Sequence, residues 1–463
     1  MGHRKTTIIS FSFLVVILFS SSYFPDLNKI GGRKCPMYRP YKPIFSFHSG
    51  KECHQRSSEV FTNLSTLEEI NFRGYNATKY KIQSEDGYIS TIIRISGGLK
   101  SPARSDNKSV LLFHGLGGSS ANWIIQRGDR NFAFILVKSG YEVWLADLRG
   151  TSSSMGHTHL DPDSDLSYWN FTIDDIGTRD LPLFLDLIKN ETGIEKVYFA
   201  CHSTGCAVWL AGLAELPELN ERFEAGFLLG PASYLGAMYN PMILLYIAMF
   251  GTPLDELLST WMKGRISGEP SYFAKMLGLT PEKVCGSWSF MRCGICDNLF
   301  FATFGNDEAQ MDYENLPNII SKMQDNIPYG LLRHRMQNGI NCTFRKFDYG
   351  VEKNLVKYGN KVPPIYNLNG IRVPTYIFYG ENDNLVTRLD AEKTRNAIPV
   401  QFMRGFYQVE WPLFTHPDFI MARDADIFVY NKILNIMMKS DNEGKCDVVH
   451  NITKQKCESP SKP

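Results

Sequence analysis

One short segment restricts the fold of this sequence more than any other: the pentapeptide Cys-His-Ser-Thr-Gly at residues 201–205. It follows an apolar run at residues 196–200 and precedes a helix-like run at residues 207–214. A serine on a tight turn between a strand and a helix projects its hydroxyl above the edge of a sheet, next to the helix N-terminus. We therefore predict that Ser203 is a nucleophile. The segment departs from the G-x-S-x-G pattern because Cys201 replaces the first glycine.

Further apolar runs flank this unit, at residues 109–113, 141–145, 225–229 and 373–379. Short apolar runs separated by helical stretches indicate buried parallel strands that are joined by crossovers. The sequence therefore predicts an α/β architecture with a mostly parallel central sheet. A final helix is predicted near the C-terminus with the apolar face Phe419, Ile420, Ile427, Tyr430, Leu434 and Met437.

The alternation of strands and helices is lost between residues 231 and 367. This stretch contains a strongly apolar segment and several helix-like runs, and we predict an inserted helical cap or lid that supplies an apolar substrate pocket. Ordinary core packing is the alternative for any single residue. The length of 463 residues suits either one large catalytic domain with an insertion or two ordinary domains. The predicted organisation is signal peptide 1–22, irregular leader 23–59, core 60–230, cap 231–367, core 368–440 and tail 441–463.

The beginning of the sequence has the order of a signal peptide, with basic residues 3–5, an apolar run at 8–19 and serines at 20–22. Because a membrane span needs about 20 apolar residues, we predict cleavage near residue 22 and a mature chain without a transmembrane span; a membrane anchor is the alternative. Seven N-x-S/T sequons agree with entry into the secretory pathway, to a secreted or lysosomal destination. These glycosylation candidates are Asn63, Asn76, Asn107, Asn170, Asn190, Asn341 and Asn451.

The ten cysteines permit disulfides in an oxidising compartment but do not fix their pairing. For Cys201 and Cys206 we expect a pair of buried, reduced, small apolar side chains. No cysteine spacing fits a zinc site. Local bridges are possible between Cys35 and Cys53, between Cys446 and Cys457, and within the set Cys285, Cys293 and Cys296.

The charge balance bears on possible partners. Lysine and arginine number 49 against 48 acidic residues, a formal net charge of +1. Because no strongly basic face is implied, nucleic acid is not an expected partner. The oligomeric state is left open.

The other members of a catalytic site follow from chain order, in which an acid comes after a later strand and a base lies nearer the C-terminus. Asp383 stands just beyond the run at residues 373–379, and Glu381 is the alternative acid. Among the ten histidines, His416 is the one that lies within the core pattern and after this acid. We therefore predict Asp383 as the acid and His416 as the base.

The run at residues 109–113 ends in His-Gly-Leu-Gly-Gly, a turn that we predict to lie beside Ser203. Backbone N–H groups of Leu116 and Thr204 are the predicted oxyanion hole, and each such donor is worth roughly 100- to 1,000-fold in rate. In this scheme His416 takes the proton of Ser203 as the serine attacks an ester carbonyl, and Asp383 orients the imidazolium. An acyl-enzyme forms and is hydrolysed, and neither a metal nor a cofactor is required.

These residues resemble the animal acid lipase family, which includes gastric and lysosomal acid lipases, from about residue 69 to residue 438. Nine short motifs carry the resemblance. Seven of them are Glu-Asp-Gly-Tyr at 85–88, His-Gly-Leu at 114–116, Trp-Leu-Ala-Asp-Leu-Arg-Gly at 144–150, Tyr-Trp-Asn-Phe at 168–171, Asp-Leu-Pro at 180–182, Phe-Asp-Tyr-Gly at 347–350 and Pro-Pro-Ile-Tyr at 363–366. The other two contain the predicted acid, at residues 380–383, and the predicted base, at residues 416–419. The sequence departs from the family at Cys201 and at Thr204, where a glutamine is common.

The resemblance implies an α/β-hydrolase fold with a mostly parallel central sheet and an inserted helical cap or lid. It also implies hydrolysis of neutral-lipid esters, triacylglycerols or cholesteryl esters, at a lipid–water interface, with tolerance of acidic surroundings. Two other functions fit the same fold: a catalytically weak lipid-binding or carrier protein, and a hydrolase of shorter esters or thioesters. The complete set of Ser203, Asp383 and His416 favours an enzyme.

Overall fold

The computed structural model describes residues 61, 64–98, 108–267 and 303–453. The predicted signal peptide, the predicted leader and residues 454–463 of the predicted tail lie outside these ranges. No helix within them is both long enough and apolar enough to cross a bilayer. Other predicted features that lie outside the described residues are Asn63, Asn107, Cys35, Cys53, Cys285, Cys293, Cys296, Cys457 and the side chains of Cys446 and Asn451.

The described strands form one large sheet and one small one. They are β1 (Tyr75–Gln83), β2 (Tyr88–Gly98), β3 (Ser109–Phe113), β4 (Glu142–Asp147), β5 (Gly156–His157), β6 (Val197–His202), β7 (Phe223–Leu229), β8 (Arg265–Ile266), β9 (Ile327–Pro328), β10 (Thr375–Tyr379) and β11 (Met403–Gln408). The large sheet has the order β1-β2-β4-β3-β6-β7-β10-β11, with β5 beside β2, and β8 pairs with β9. From β4 to β11 all neighbours are parallel, whereas β1, β2 and β5 pair antiparallel at one edge. The expected mostly parallel sheet is confirmed.

Helices cover the sheet and also occur in the described parts of residues 231–367. They are α1 (Thr66–Phe72), α2 (Phe132–Lys138), α3 (Ile173–Asp175), α4 (Leu181–Thr192), α5 (Thr204–Glu215), α6 (Pro241–Met249), α7 (Pro253–Trp261), α8 (Leu316–Met323), α9 (Tyr329–Asn341), α10 (Val351–Tyr358), α11 (Arg388–Ala397), α12 (Asp418–Met421) and α13 (Asn431–Thr453). The π-helical turn Ile176–Asp180 joins α3 to α4, and α6 to α10 lie between residues 231 and 367. The domain boundaries given above stay predictions.

Strand β3 illustrates why the central strands were readable as continuous apolar runs. Its residues Leu111 and Phe113 pack on one side of the sheet with Trp209 of α5, and Val110 and Leu112 pack on the other side. All of these side chains are fully buried. Because helices cover both faces of a parallel sheet, each strand position must be apolar. All five predicted strands are present, with ends within two residues of the expected ones.

The prediction of one final helix with a single apolar face is wrong. Phe419 and Ile420 belong to the separate short helix α12, and Ile427 is 64% exposed. The break has a physical cause in Gln310, since its backbone oxygen accepts the N–H of Arg423 and its side-chain oxygen accepts the N–H of Asp424. These hydrogen bonds to the inserted region replace the bonds that a continuous helix would make within itself.

Three of the sequence motifs meet in one buried ion cluster around Arg149. This side chain is 1% exposed, and its guanidinium donates to Asp180 (Nε to Oδ2, 2.8 Å) and to Asp86 (Nη1 to Oδ2, 2.7 Å). It also lies 4.1 Å from the ring centre of Tyr88. Removing one partner of a buried ion pair costs roughly 3–5 kcal/mol. The motifs at residues 85–88, 144–150 and 180–182 therefore share a structural role as members of one ion cluster.

Candidate active site

Ser203 lies between β6 and α5 in a backbone conformation that few residues adopt. Its φ is 56° and its ψ is −122°, and a non-glycine residue held in such a region costs about 1–3 kcal/mol. Two backbone hydrogen bonds hold it there: the Ser203 N–H donates to the oxygen of Leu229 (3.0 Å), and the Ala232 N–H donates to the oxygen of Ser203 (3.1 Å). The site therefore has a tight strand-turn-helix unit, with the serine 5% exposed at its tip.

Two glycines allow the elements around Ser203 to approach each other. A Cβ added to Gly205 would lie 2.5 Å from the backbone oxygen of His114, which is closer than real contacts of this kind. A Cβ added to Gly115 would lie 3.0 Å from Cβ of Ser203. Helix α5 and the turn after β3 can meet this closely because Gly205 has no side chain, and Gly115 leaves room for Ser203.

A disulfide between Cys201 and Cys206 spans the serine, with a Cα–Cα distance of 5.1 Å. The expectation that these two cysteines are reduced is therefore wrong, although both are fully buried as expected. Cys201 is near the end of β6 and Cys206 is in the first turn of α5, so the tight reversal at Ser203 places the two side chains next to each other. The C-x4-C spacing across a predicted strand-turn-helix unit was the available signal. Cys342 is also disulfide-bonded.

The predicted oxyanion donors lie on the two segments that meet at Ser203. Thr204 is the first residue of α5, where the backbone N–H has no acceptor within the helix. Leu116 follows Gly115 in the turn after β3, and the ring of His114 fixes this turn. Burial lowers the pKa of His114, so the ring is neutral: its Nδ1–H donates to the oxygen of Gly115 (2.8 Å) and its Nε2 accepts the N–H of Leu148 (3.1 Å).

Asp383 and His416 form a direct hydrogen bond, from the imidazole Nδ1 to the carboxylate Oδ2, at 2.8 Å. The other carboxylate oxygen, Oδ1, accepts the N–H groups of Leu385 (2.9 Å) and Val386 (2.8 Å). Asp383 is 1% exposed and His416 is 4% exposed. The acceptor of the histidine proton is therefore Asp383, not the alternative acid Glu381. With a proton on Nδ1, the neutral ring presents an unprotonated Nε2.

His202, the residue before the serine, touches the loop between β11 and α12 that carries His416, which we call the histidine loop. Nε2 of His202 lies 3.1 Å from the backbone oxygen of His416, and the two ring centres are 4.7 Å apart. Burial and the neighbouring His416 lower the pKa of His202 well below its ordinary value, so the His202 ring is neutral and donates this hydrogen bond. Sequence reasoning placed His202 in the turn but missed this contact.

Glycines at two strand ends make room for the histidine loop. A Cβ on Gly230, just after β7, would lie 3.2 Å from Nδ1 of His416, and a Cβ on Gly380, just after β10, would lie 2.3 Å from the oxygen of Phe414. His416 Nε2 is buried and forms no hydrogen bond with any described residue. The structure thus brings Asp383 and His416 together and places the turn of Ser203 against the same loop.

The fold and this arrangement define the class of the chain, which is that of the α/β hydrolases. Residues 108–257 match the alpha/beta hydrolase fold family, and residues 66–127 match the family described as a partial alpha/beta-hydrolase lipase region. Within the class the chain belongs to the acid lipase family, as the resemblance implied. It is 31% identical to Lipase 3 of Drosophila melanogaster over 371 residues, which cover 80% of this chain and 92% of that protein.

Two mammalian relatives place the chain in the same family. It is 30% identical to the human lysosomal acid lipase/cholesteryl ester hydrolase over 380 residues, covering 82% of this chain and 92% of the relative. It is 28% identical to the gastric triacylglycerol lipase of Bos taurus over 391 residues, again covering 82% and 92%. The similarity therefore extends over nearly the whole length of these proteins.

Proposed function

We propose that this protein is a serine lipase that hydrolyses neutral-lipid esters, triacylglycerols or cholesteryl esters, through an acyl-enzyme on Ser203. The observation that carries the proposal is the buried hydrogen bond between Asp383 and His416, located against the turn of Ser203. A structural histidine does not require a buried carboxylate that is itself fixed by two backbone N–H groups. Such a carboxylate orients an imidazole and stabilises its charged form.

The chemistry assigns one task to each group. His416 Nε2 removes the hydroxyl proton of Ser203 as the serine oxygen attacks the ester carbonyl carbon. The imidazolium that forms is stabilised by Asp383 and then protonates the leaving alcohol as the C–O bond breaks. Water attacks the acyl-enzyme in the same way, with His416 as the base, and the fatty acid leaves with Ser203 restored.

The developing oxyanion would be held by the N–H groups of Leu116 and Thr204. Support comes from the position of Thr204 at the N-terminus of α5, where free N–H groups and the helix dipole favour negative charge. The substitution of glutamine by threonine at residue 204 leaves this donor intact, because the donor is a backbone group. The neutral His114 ring supports the other donor by fixing the turn before Leu116.

Substrate class and location are inferred from the family. The human relative is named a lysosomal acid lipase/cholesteryl ester hydrolase, and the bovine relative a gastric triacylglycerol lipase. We infer a lipid–water interface as the place of action and the secretory pathway as the route, to a secreted or lysosomal destination. Among the sequons with described side chains, Asn76, Asn170 and Asn190 are exposed, and Asn341 is half-buried with its amide donating to the oxygen of Gln337.

The test is fatty-acid release by the full-length secreted protein from emulsified triolein and cholesteryl oleate, with a short soluble ester alongside. Ser203→Ala is the decisive variant, because loss of a triad serine costs roughly a million-fold in turnover. Ser167→Ala, at an exposed serine, is the matched control and is expected to retain wild-type activity. We expect long-chain release that disappears only in Ser203→Ala.

Two other results would contradict the proposal. Activity on the short ester alone would identify an esterase of small substrates. Equal, background rates for the wild type and Ser203→Ala on all three substrates, with both proteins folded, would instead identify a lipid-binding or carrier protein.

A further inference from the structure

A pair of buried carboxyl groups lies beside the histidine loop and has no part in the mechanism above. Asp418 is two residues after His416, at the start of α12, and Asp307 belongs to the inserted region; each is 3% exposed. The two side chains are hydrogen-bonded to each other. Since a carboxylate has no proton to donate, a carboxyl–carboxyl hydrogen bond requires that the pair hold one proton.

Neutral donors surround this pair and connect it to both sides of His416. The N–H and hydroxyl of Thr415 donate to Oδ2 of Asp418 at 2.6 and 2.5 Å. The indole Nε1–H of Trp411 donates to both oxygens of Asp307, at 2.9 and 2.8 Å. The pair therefore joins the inserted region to the start of the histidine loop, at Trp411, and to its end, at Thr415 and Asp418.

No lysine or arginine in the described ranges forms an ion pair with either carboxyl. The other charged or titratable groups on the neighbouring elements are His416, which is bonded to Asp383, Glu308 next to Asp307, the exposed Glu410, and Arg423 and Asp424, which pair with each other beyond α12. Burial raises the pKa of Asp307 to about 6, and burial together with Asp307 raises the pKa of Asp418 well above its ordinary value.

We propose that Asp307 and Asp418 share one proton and act as positioning residues for His416, holding its loop against the inserted region. The inference rests on the proposed function, since it assigns a role to residues that act through the proposed base. When the proton leaves, two buried carboxylates without a cation partner remain in contact, and like charges in contact repel strongly. The loop then loses the contact that fixes it, and turnover falls.

The sign of the pH effect follows from the direction of the pKa changes. Because the folded protein binds this proton more tightly than the unfolded chain does, the pair stabilises the fold fully below the ordinary aspartate pKa of 3.8. Part of that stabilisation is lost as the pH rises through about 6, the pKa of Asp307, and the rest is lost as the pH rises through the raised pKa of Asp418, when the shared proton leaves. The two deprotonation steps belong to the pair as a whole and not to either aspartate alone. Because the pair holds the histidine loop only while it keeps this proton, the pair bears on the alkaline side of the activity profile.

The experiment is the pH profile of kcat on a short soluble ester, from about pH 4 to 8, for the full-length secreted protein and Asp307→Asn. The asparagine amide donates permanently to an ionised Asp418, and its oxygen still accepts from Trp411. We expect the alkaline decline of kcat to move up by about one pH unit or more, with KM unchanged. Asp307→Ala, which supplies no donor, should lose activity at every pH.

Asp174→Asn is the matched control. Burial raises the pKa of Asp174 to about 6 as well, but this carboxyl interacts with Tyr366 and Lys346 and not with the residues around His416. We expect Asp174→Asn to keep the wild-type profile of kcat. A decline of Asp307→Asn that coincides with that of the wild type, or an equal shift in Asp174→Asn, would overturn the proposal.

Thermal unfolding at pH 5 and pH 7.5 separates this proposal from the proposed function. A wild type without esterase activity would refute the proposed lipase function. Proton sharing would still be tested by Tm. From pH 5 to pH 7.5 Tm should decrease, and the decrease should be smaller in Asp307→Asn than in the wild type. If Asp307→Asn does not fold, Asp418→Asn offers the same donor from the other side of the pair. An unchanged pH dependence of Tm in the variant that folds would refute proton sharing itself.

Discussion

The two sides of the candidate site are held in place by different kinds of interaction. On the nucleophile side, Ser203 is fixed by backbone hydrogen bonds to Leu229 and Ala232 and by the disulfide that spans it. On the base side, His416 is fixed by side-chain groups, with Asp383 bonded to its ring and Asp418 bonded to its loop. One side depends on backbone and covalent geometry, and the other on carboxyl groups.

This difference determines how pH and reductants act on the site. Backbone N–H to carbonyl bonds do not titrate, and a disulfide responds to reductants. Burial lowers the pKa of His114, which fixes the turn before Leu116, so pH should leave the nucleophile side unchanged as long as this ring is neutral. Buried carboxyl groups change charge with pH, and their hydrogen bonds change with them. We therefore expect pH to act on the base side and reduction on the nucleophile side, and each substitution below tests one side.

The largest effect in this comparison is expected from Asp383→Asn on the base side. An asparagine retains the shape but offers an amide, which favours the wrong tautomer of His416, and the analogous change in a serine protease lowers kcat about 10,000-fold. Activity on the short ester at several pH values is the measurement. Glu381→Gln, at the half-buried alternative acid, serves as the control and should stay within a few-fold of wild type. Comparable losses in both variants would remove Asp383 from its assigned role.

An intermediate effect is expected from Gly205→Ala on the nucleophile side. The new methyl group would lie 2.5 Å from the oxygen of His114, so α5 and the turn before Leu116 must separate. Because one oxyanion donor is worth roughly 100- to 1,000-fold, we expect kcat to fall by about 100-fold with no change in the shape of the pH profile. Gly370→Ala is the control, since a Cβ there meets nothing within 4 Å. Full activity in Gly205→Ala would show that close approach of these two segments is not required.

The same comparison explains what could be predicted from the sequence. Strands such as β3 are buried on both faces, so their apolar runs stand out, and the acid and base follow strand ends in a fixed chain order. Asp383 was therefore located from its position after β10, and its hydrogen bond to His416 agrees with that position. These are local signals, in which a few neighbouring residues carry the pattern.

The features that were missed depend on residues that are distant in sequence or on the geometry of one turn. The break before Ile427 arises from hydrogen bonds to Gln310, and the partner of Asp418 is Asp307; both partners lie in the inserted region. Pairing of Cys201 with Cys206 requires the reversal at Ser203, which a count of cysteines does not reveal. No periodicity records such contacts, because each is made by individual residues.

The smallest effect is expected from the disulfide, tested with the double variant Cys201→Ala/Cys206→Ala. Closing so short a loop restricts the unfolded chain by about 2 kcal/mol, so Tm should fall. Since backbone hydrogen bonds and Gly205 still hold Ser203, kcat should fall only a few-fold, with KM and the pH profile unchanged. A change in the pH profile would contradict the separation between the two sides.

Mild reductant should lower kcat more in the wild type than in the double variant. The loss that remains in the double variant measures the effect of the other disulfides, including that of Cys342. Equal losses in both proteins would mean that the bridge around Ser203 contributes to stability alone.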